Sequence, residues 1–252
     1  MLTPTSTGNG NCIAVSSSRV ITFTPAPTLN AGPNGTVCAN NAAINLNGNV
    51  TGATGGIWSG GTGSFSPNNS TLNATYTPSA AERAAGTLTL TLTTVGNGNC
   101  SPVSANVTYT ITPAPTVNAG ADQTRCGNNA STALNGSYTV ATGAIWSGGA
   151  GSFSPGATSV NAVYTPTAAE IANGSVTLTL TTTGVGTCVP VSDDMTISFT
   201  PAPTANAGSP LTLCANNASV ALNGGVTLAT GGGLGGGAGA PCPKNTPLLC
   251  NI

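Results

Sequence analysis

Across 252 residues the chain carries four basic and five acidic side chains, no histidine and a formal net charge of −1, so charged residues make up 4% of it, against roughly 25% in an ordinary soluble domain. That scarcity excludes a surface able to neutralise a run of phosphates and a polybasic membrane anchor, so no nucleic-acid partner and no direct membrane insertion are expected. The hydrophobic share of 39% is regularly patterned, which argues against charge-driven disorder and, with abundant Thr, Asn, Ser and Gly, points to an extracellular β-protein.

Internal repetition organises the chain. Cys12, Cys100 and Cys188 recur every 88 residues, as do Cys38, Cys126 and Cys214, and Trp58 and Trp146. Thr-Pro-Ala-Pro begins at Thr24, Thr112 and Thr200. Residues 29–116 and 117–204 align without a gap and are identical at more than half their positions. They are expected to be two complete repeats. Residues 1–28 read as the C-terminal part of a truncated repeat, with no signal peptide in them, so the natural protein is expected to extend upstream.

In chain order, the complete repeat opens with strand candidates at Ala43–Leu46 and Gly56–Ser59, separated by Asn-Gly and Gly-Gly turns. A third runs from Leu72 to Thr77. Trp58, Phe65 and Tyr76 are its core anchors, with Trp146, Phe153 and Tyr164 as their counterparts in the second repeat. Ser79-Ala-Ala-Glu82 and Thr167-Ala-Ala-Glu170 have capping-box spacing, which predicts a short helix ended by Gly86 and Gly174. Thr-Leu-Thr-Leu-Thr-Leu-Thr at 87–93 alternates strictly, placing Leu88, Leu90 and Leu92 on one face of a strand; Val176, Leu178 and Leu180 repeat it. Val107–Thr112 closes the repeat. Strands at this spacing in a unit of this size predict an all-β fold of tandem immunoglobulin/PKD-like β-sandwich modules in a linear array. The Thr-Pro-Ala-Pro-Thr linkers would join them stiffly.

Residues 205–252 read as a partial, degenerate repeat. Ile57–Gly61 is matched there by Gly233–Gly237, Phe65 by Pro241 and Ser66 by Cys242. Register survives while the core residues are lost.

Asn30-Ala-Gly, Cys38-x-Asn-Asn, Leu46-Asn-Gly, Ile57-Trp-Ser-Gly-Gly-x-Gly-Ser-Phe-Ser, Ala74-x-Tyr-Thr-Pro-Ser-Ala-Ala-Glu and Thr89-Leu-Thr-Leu-Thr resemble the PKD-like or immunoglobulin-like repeats of very large Bacteroidetes cell-surface proteins, among them SprB-like gliding-motility adhesins. The resemblance covers nearly the whole chain. It implies secretion through the type IX route, a cell-surface location and a role in adhesion. The aspartates that follow the tryptophan in the founding PKD modules are absent at Trp58-Ser-Gly-Gly, and the family's C-terminal sorting domain is not in this sequence.

Eight cysteines in a chain without histidine read as disulfides of an oxidising compartment. Zinc is disfavoured, since there is neither Cys-x-x-Cys nor histidine. Within one repeat the candidate pairs are Cys38 with Cys100 and Cys126 with Cys188; the rival is Cys100 with Cys126 across the proline linker. Cys12 and Cys214 lack partners in their own repeats, and Cys242 and Cys250 have no counterparts. No histidine is available for a catalytic triad. Asp193-Asp194, in place of Ala105-Asn106, is the one conceivable carboxylate pair, but neighbours on a strand face opposite ways. Asp122 corresponds to Asn34 and Pro210, so no acidic cage for calcium repeats. Gly60–Gly63 is turn chemistry without the Gly-Lys-Ser/Thr of a phosphate loop. No cofactor and no enzymatic activity are implied. A structural and adhesive stalk is the leading expectation. Its partner would be a surface polysaccharide or another cell-surface protein. The rivals are a glycan-binding module acting by avidity, with Trp58 and Trp146 exposed, and an accessory region of a secreted hydrolase.

Overall fold

The computed structural model describes residues 1–212, 214, 216 and 223–230. The residues matched to the lost core at 233–242, and Cys242 and Cys250, lie outside the described residues. Two compact units are present, Met1–Ala114 with Gly186–Val189, and Pro115–Val185 with Pro190–Ile252.

The first unit contains β1 (Thr28–Asn30), β2 (Gly35–Cys38), β3 (Ile44–Asn45), β4 (Asn49–Thr51), β5 (Gly55–Ser59), β6 (Ser64–Ser66), β7 (Thr75–Thr77), α1 (Ala80–Ala85), β8 (Thr87–Val95) and β9 (Ser104–Thr112). A four-stranded sheet has the order β2-β9-β8-β5, and a three-stranded sheet the order β3-β7-β6, with β1 paired to β4. All pairings are antiparallel except β2 with β9. That strand order is the immunoglobulin-like arrangement of two sheets enclosing one core.

The core lies between the sheets because each strand is apolar on one face only. Leu88, Leu90 and Leu92 of β8 face Tyr109, Val107 and Ala105 of β9 in register, and Trp58 of β5 stands opposite Leu92. Ile44 and Tyr76 of the second sheet join the same buried cluster. On the outer face the hydroxyls pair across strands: Thr89 with Thr108 at 3.2 Å, Thr91 with Asn106 at 2.9 Å and Thr93 with Ser104 at 2.8 Å. Threonine fits this face because its branched side chain suits the pleat while its hydroxyl finds a cross-strand partner.

The second unit repeats the arrangement with β10 (Thr116–Asn118), β11 (Gln123–Cys126), β12 (Thr132–Ala133), β13 (Ser137–Thr139), β14 (Gly143–Ser147), β15 (Ser152–Ser154), β16 (Val163–Thr165), α2 (Ala168–Asn173), β17 (Ser175–Thr183) and β18 (Ser192–Thr200). Its sheets are β11-β18-β17-β14 and β12-β16-β15, with β10 paired to β13 and β11 parallel to β18. The chain is therefore all-β in architecture, two tandem β-sandwich modules with one short helix each. A further pair, β19 (Thr204–Asn206) and β20 (Gly225–Thr227), begins the same pattern again.

Both helices carry the complete reciprocal capping box, and both end on a left-handed glycine, Gly86 at φ 75° and Gly174 at φ 84°. Residues 1–27 hold only isolated bridges, Leu2 with Arg19 and Thr5 with Ser16. Ile21 and Phe23 are exposed there, whereas their counterparts Tyr109 and Ile111 are buried.

Candidate functional site

A polar cluster in each module joins the core tyrosine to the helix cap. The Tyr76 hydroxyl donates to both oxygens of Glu82, at 2.8 and 3.0 Å. The Thr62 N–H donates to Glu82 Oε1 at 2.7 Å and the Ser79 N–H to Oε2 at 2.7 Å. The Gly63 N–H in turn donates to the tyrosine oxygen at 2.7 Å. The second module repeats this with Tyr164, Glu170, Ala150, Thr167 and Gly151 at 2.7–2.9 Å.

Local sequence explains the cluster. The capping box turns the Glu82 carboxylate back towards the Ser79 amide, and the glycine-rich turn after β5 brings the Thr62 amide to that carboxylate and the Gly63 amide to the tyrosine oxygen. A methyl at Gly61 would overlap the Tyr76 hydroxyl, and one at Gly63 the Thr77 carbonyl. Gly63→Ala is accordingly expected to destabilise the first module by about 1–3 kcal/mol through forced displacement of backbone, leaving the second unchanged; denaturant titration followed by hydrogen exchange checks this.

The electrostatics are those of a structural cap. Burial acts to raise the pKa of Glu82, but the hydrogen bonds from the Ser79 and Thr62 amides, the Tyr76 hydroxyl and Ser79 Oγ outweigh it and hold the carboxyl below its ordinary range. Glu170 behaves alike, with burial opposed by the amides of Thr167 and Ala150, then by Tyr164 and the Thr167 hydroxyl. Burial, then the hydrogen bond to the carboxylate, pushes Tyr76 and Tyr164 up to about 12. A carboxylate held ionised and filled with protein donors has no proton to give and no oxygen free to take one.

The remaining acidic residues are also engaged or apart. Asp193 Oδ2 accepts from the Ala119 N–H at 2.8 Å, and Asp122 Oδ1 from the Thr196 N–H at 2.8 Å. Asn34 does the same as Asp122 in the first module, accepting from Thr108. Asp194 is exposed. Among the described residues there is no group of three or more His, Cys, Asp or Glu able to hold a metal.

Trp58 and Trp146 are buried, at 0% and 2% exposure. Their indole N–H groups donate to Leu72 O at 3.0 Å and Val160 O at 3.2 Å. Phe65 and Phe153 are half-buried and pack against Tyr76 and Tyr164, with ring centroids 4.7 and 4.9 Å apart.

The cysteines pair differently from the within-repeat expectation. The one disulfide among the described residues joins Cys38 to Cys188, Cα atoms 4.9 Å apart, and Cys100 and Cys126 are free. The reason is the parallel strand. It sets Cys38 opposite Thr112, at the C-terminal end of β9, whereas Cys100 lies in the turn before the N-terminal end of that strand. The strand's nine residues, eight steps of about 3.4 Å, hold the two ends some 27 Å apart, far beyond the reach of a disulfide. Cys126 opposite Thr200 bears the same relation to β18. Cys38–Cys188 stands in place of Cys38–Cys100 and Cys126–Cys188, and the rival Cys100–Cys126 is not formed.

Cys188 lies in the segment Gly186–Val189, which is part of the first compact unit. There Asn40 grips the backbone of Val189 from both sides, its Nδ2 donating to Val189 O at 2.8 Å and its Oδ1 accepting from the Val189 N–H at 3.1 Å. Nothing in the sequence marks Asn40 as a contact residue beyond the repeated Cys-x-Asn-Asn.

No family model and no curated protein matches the chain. Solved structures give distant likenesses. Drosophila N-cadherin EC1-4 is 12% identical with a TM-score of 0.39, over 70% of this chain and 50% of that one. Sidekick-1 immunoglobulin domains 1-5 are 12% identical at 0.38, over 88% and 51%. An E-to-A variant of titin domains I67-I69 is 11% identical at 0.41, over 81% and 77%. The chain spans about half the length of the first two. The immunoglobulin-like assignment rests on the strand order and not on these likenesses.

Proposed function

We propose that the chain is a structural and adhesive segment, a stalk of repeated modules, in a secreted bacterial cell-surface protein of the gliding-motility adhesin kind, with residues 29–116 and 117–204 as its folding units. One observation carries the proposal: the two copies reproduce the same sandwich down to the tyrosine–carboxylate cap, and every part they reproduce is structural. A selected active site would leave unspent polar groups converging on one place, whereas here the Glu82 and Glu170 carboxylates are filled by donors of their own module and most outer hydroxyls of the long strands pair across the sheet. The neutral hydroxyl-and-amide surface suits a protein partner on a cell exterior, and no helix among the described residues is long and apolar enough to cross a membrane. The glycan-binding alternative loses its stacking residues, because Trp58 and Trp146 are core.

An antibody raised against the purified chain should label intact cells of the source organism, and brief protease treatment of those cells should remove the label. Labelling that appears only after lysis overturns the proposal. So does turnover of a polysaccharide or peptide by the purified chain.

A further inference from the structure

We infer that Cys100 and Cys126 are the two unfilled halves of the same staple that Cys38 and Cys188 have closed, each awaiting a neighbouring copy of the repeat in a contiguous array. In the closed staple both sulfurs lie beside the linker carbonyl of Pro113, each at 3.7 Å. Cys126 Sγ stands 3.9 Å from Pro201 O, the matching position in the next linker. Its strand register and its bridge to Asn129 repeat those of Cys38 with Thr112 and Asn41. Cys126 is thus placed as Cys38 is, with no second cysteine to meet it among the described residues.

Cys100 shows the complementary half. Its sulfur lies 3.8 Å from Pro25 O and 3.5 Å from Thr24 Oγ1, as Cys188 lies beside Pro113. Around it is a hollow of about 340 Å³ lined by Thr24, Pro25, Gly96, Asn97, Gly98 and Cys100 among others. The buried Asn97 Oδ1 has no hydrogen-bond partner. At the corresponding place beside Pro113, Cys38 and Asn40 are present. The occupant that fits the hollow is therefore the Cys-x-Asn-Asn tip of a preceding copy.

The rule is that the first cysteine of each repeat bonds the second cysteine of the next, 150 residues on. Each closure joins two thiols and releases two protons and two electrons. A small-molecule disulfide such as oxidised glutathione takes these up, leaving two molecules of its thiol. Because Cys126 lies within the loop closed by Cys38 and Cys188, successive loops overlap. Tension on such an array passes through sulfur bridges as well as through folded strands.

Two measurements decide the matter. In the 252-residue chain oxidised with glutathione disulfide, non-reducing peptide mapping should recover Cys38–Cys188, with Cys100 and Cys126 open to alkylation. Pulling on its ends should give a fully extended length about 500 Å shorter than after reduction, since a loop of 150 residues is hidden at up to ~3.4 Å each. In a longer chain with a second copy of residues 117–204 inserted after Thr204, Cys126 should become bonded to the second cysteine of the inserted copy, its alkylation falling at least tenfold. Cys100 should remain reactive. Alkylation of Cys126 in the longer chain at its original level, or its recovery bonded to Cys100 or Cys188, overturns the inference. So does failure of Cys38–Cys188 to form in either chain.

Discussion

Trp58→Ala is expected to cost the first module about 3–5 kcal/mol, the range for removing a large aromatic side chain from a packed core. A domain of this kind has about 5–15 kcal/mol in hand, so much of its stability goes with one side chain. The indole is fully buried and stands opposite Leu92, and its N–H is satisfied by Leu72 O. Alanine would leave a cavity beneath β8 that the rigid sheet cannot collapse to fill. The measurement is unusually direct because the chain has two tryptophans. In Trp58→Ala the fluorescence of Trp146 reports the second module alone and should unfold as before, while hydrogen exchange of the β8 and β9 amides reports the loss in the first. Trp58→Phe should recover part of the deficit. A loss under about 1 kcal/mol combined with weakened polysaccharide binding would return Trp58 to the role of a sugar platform.

What could be read in the sequence depended on how long each signal was. Residues 87–93 alternate for seven positions, enough to show the strand, its buried leucines and its outer threonines. The capping box was equally plain, because its chemistry lies within four residues. β2 was missed. It is four residues long, Gly-Thr-Val-Cys, too short for a period-two pattern, and its pairing with β9 is held across more than 70 residues of chain. The disulfide error followed directly. Pairing Cys38 with Cys100 assumes that both lie at one end of the module, and only the parallel register of β2 shows that they do not. The spacing around Glu82 shows a cap alone; its second role, gathering Tyr76 and the glycine-rich turn, needs the fold that brings residues 62 and 82 together.

The cap also predicts how stability follows pH. Glu82 and Glu170 have folded-state pKa values below the ordinary value of ~4.3. Above that ordinary value both folded and unfolded chains are ionised and the benefit is complete. As pH falls through it, the unfolded chain takes up protons that the folded chain refuses, so stability drops until the folded-state pKa is passed. At the alkaline end the sign reverses. Tyr76 and Tyr164 are raised from 10.0 to about 12, so the unfolded phenols ionise first and stability falls between those values, by about 2–3 kcal/mol per module. The expected profile is a plateau from about pH 5 to pH 10 with a fall on each side. Few other groups compete at the acid end, since the chain has five acidic side chains and no histidine. Glu170→Gln should remove the acid limb of the second module and lower its plateau by about 2–4 kcal/mol, because four donors, the Thr167 and Ala150 amides and the Tyr164 and Thr167 hydroxyls, lose a charged acceptor. Tyr164→Phe should remove the alkaline limb while keeping the acid one. Denaturant midpoints measured from pH 2 to pH 12, with Trp146 as reporter, separate the two. An acid limb that persists unchanged in Glu170→Gln would show that the carboxylate does not couple to folding, and the cap would then be geometry without consequence.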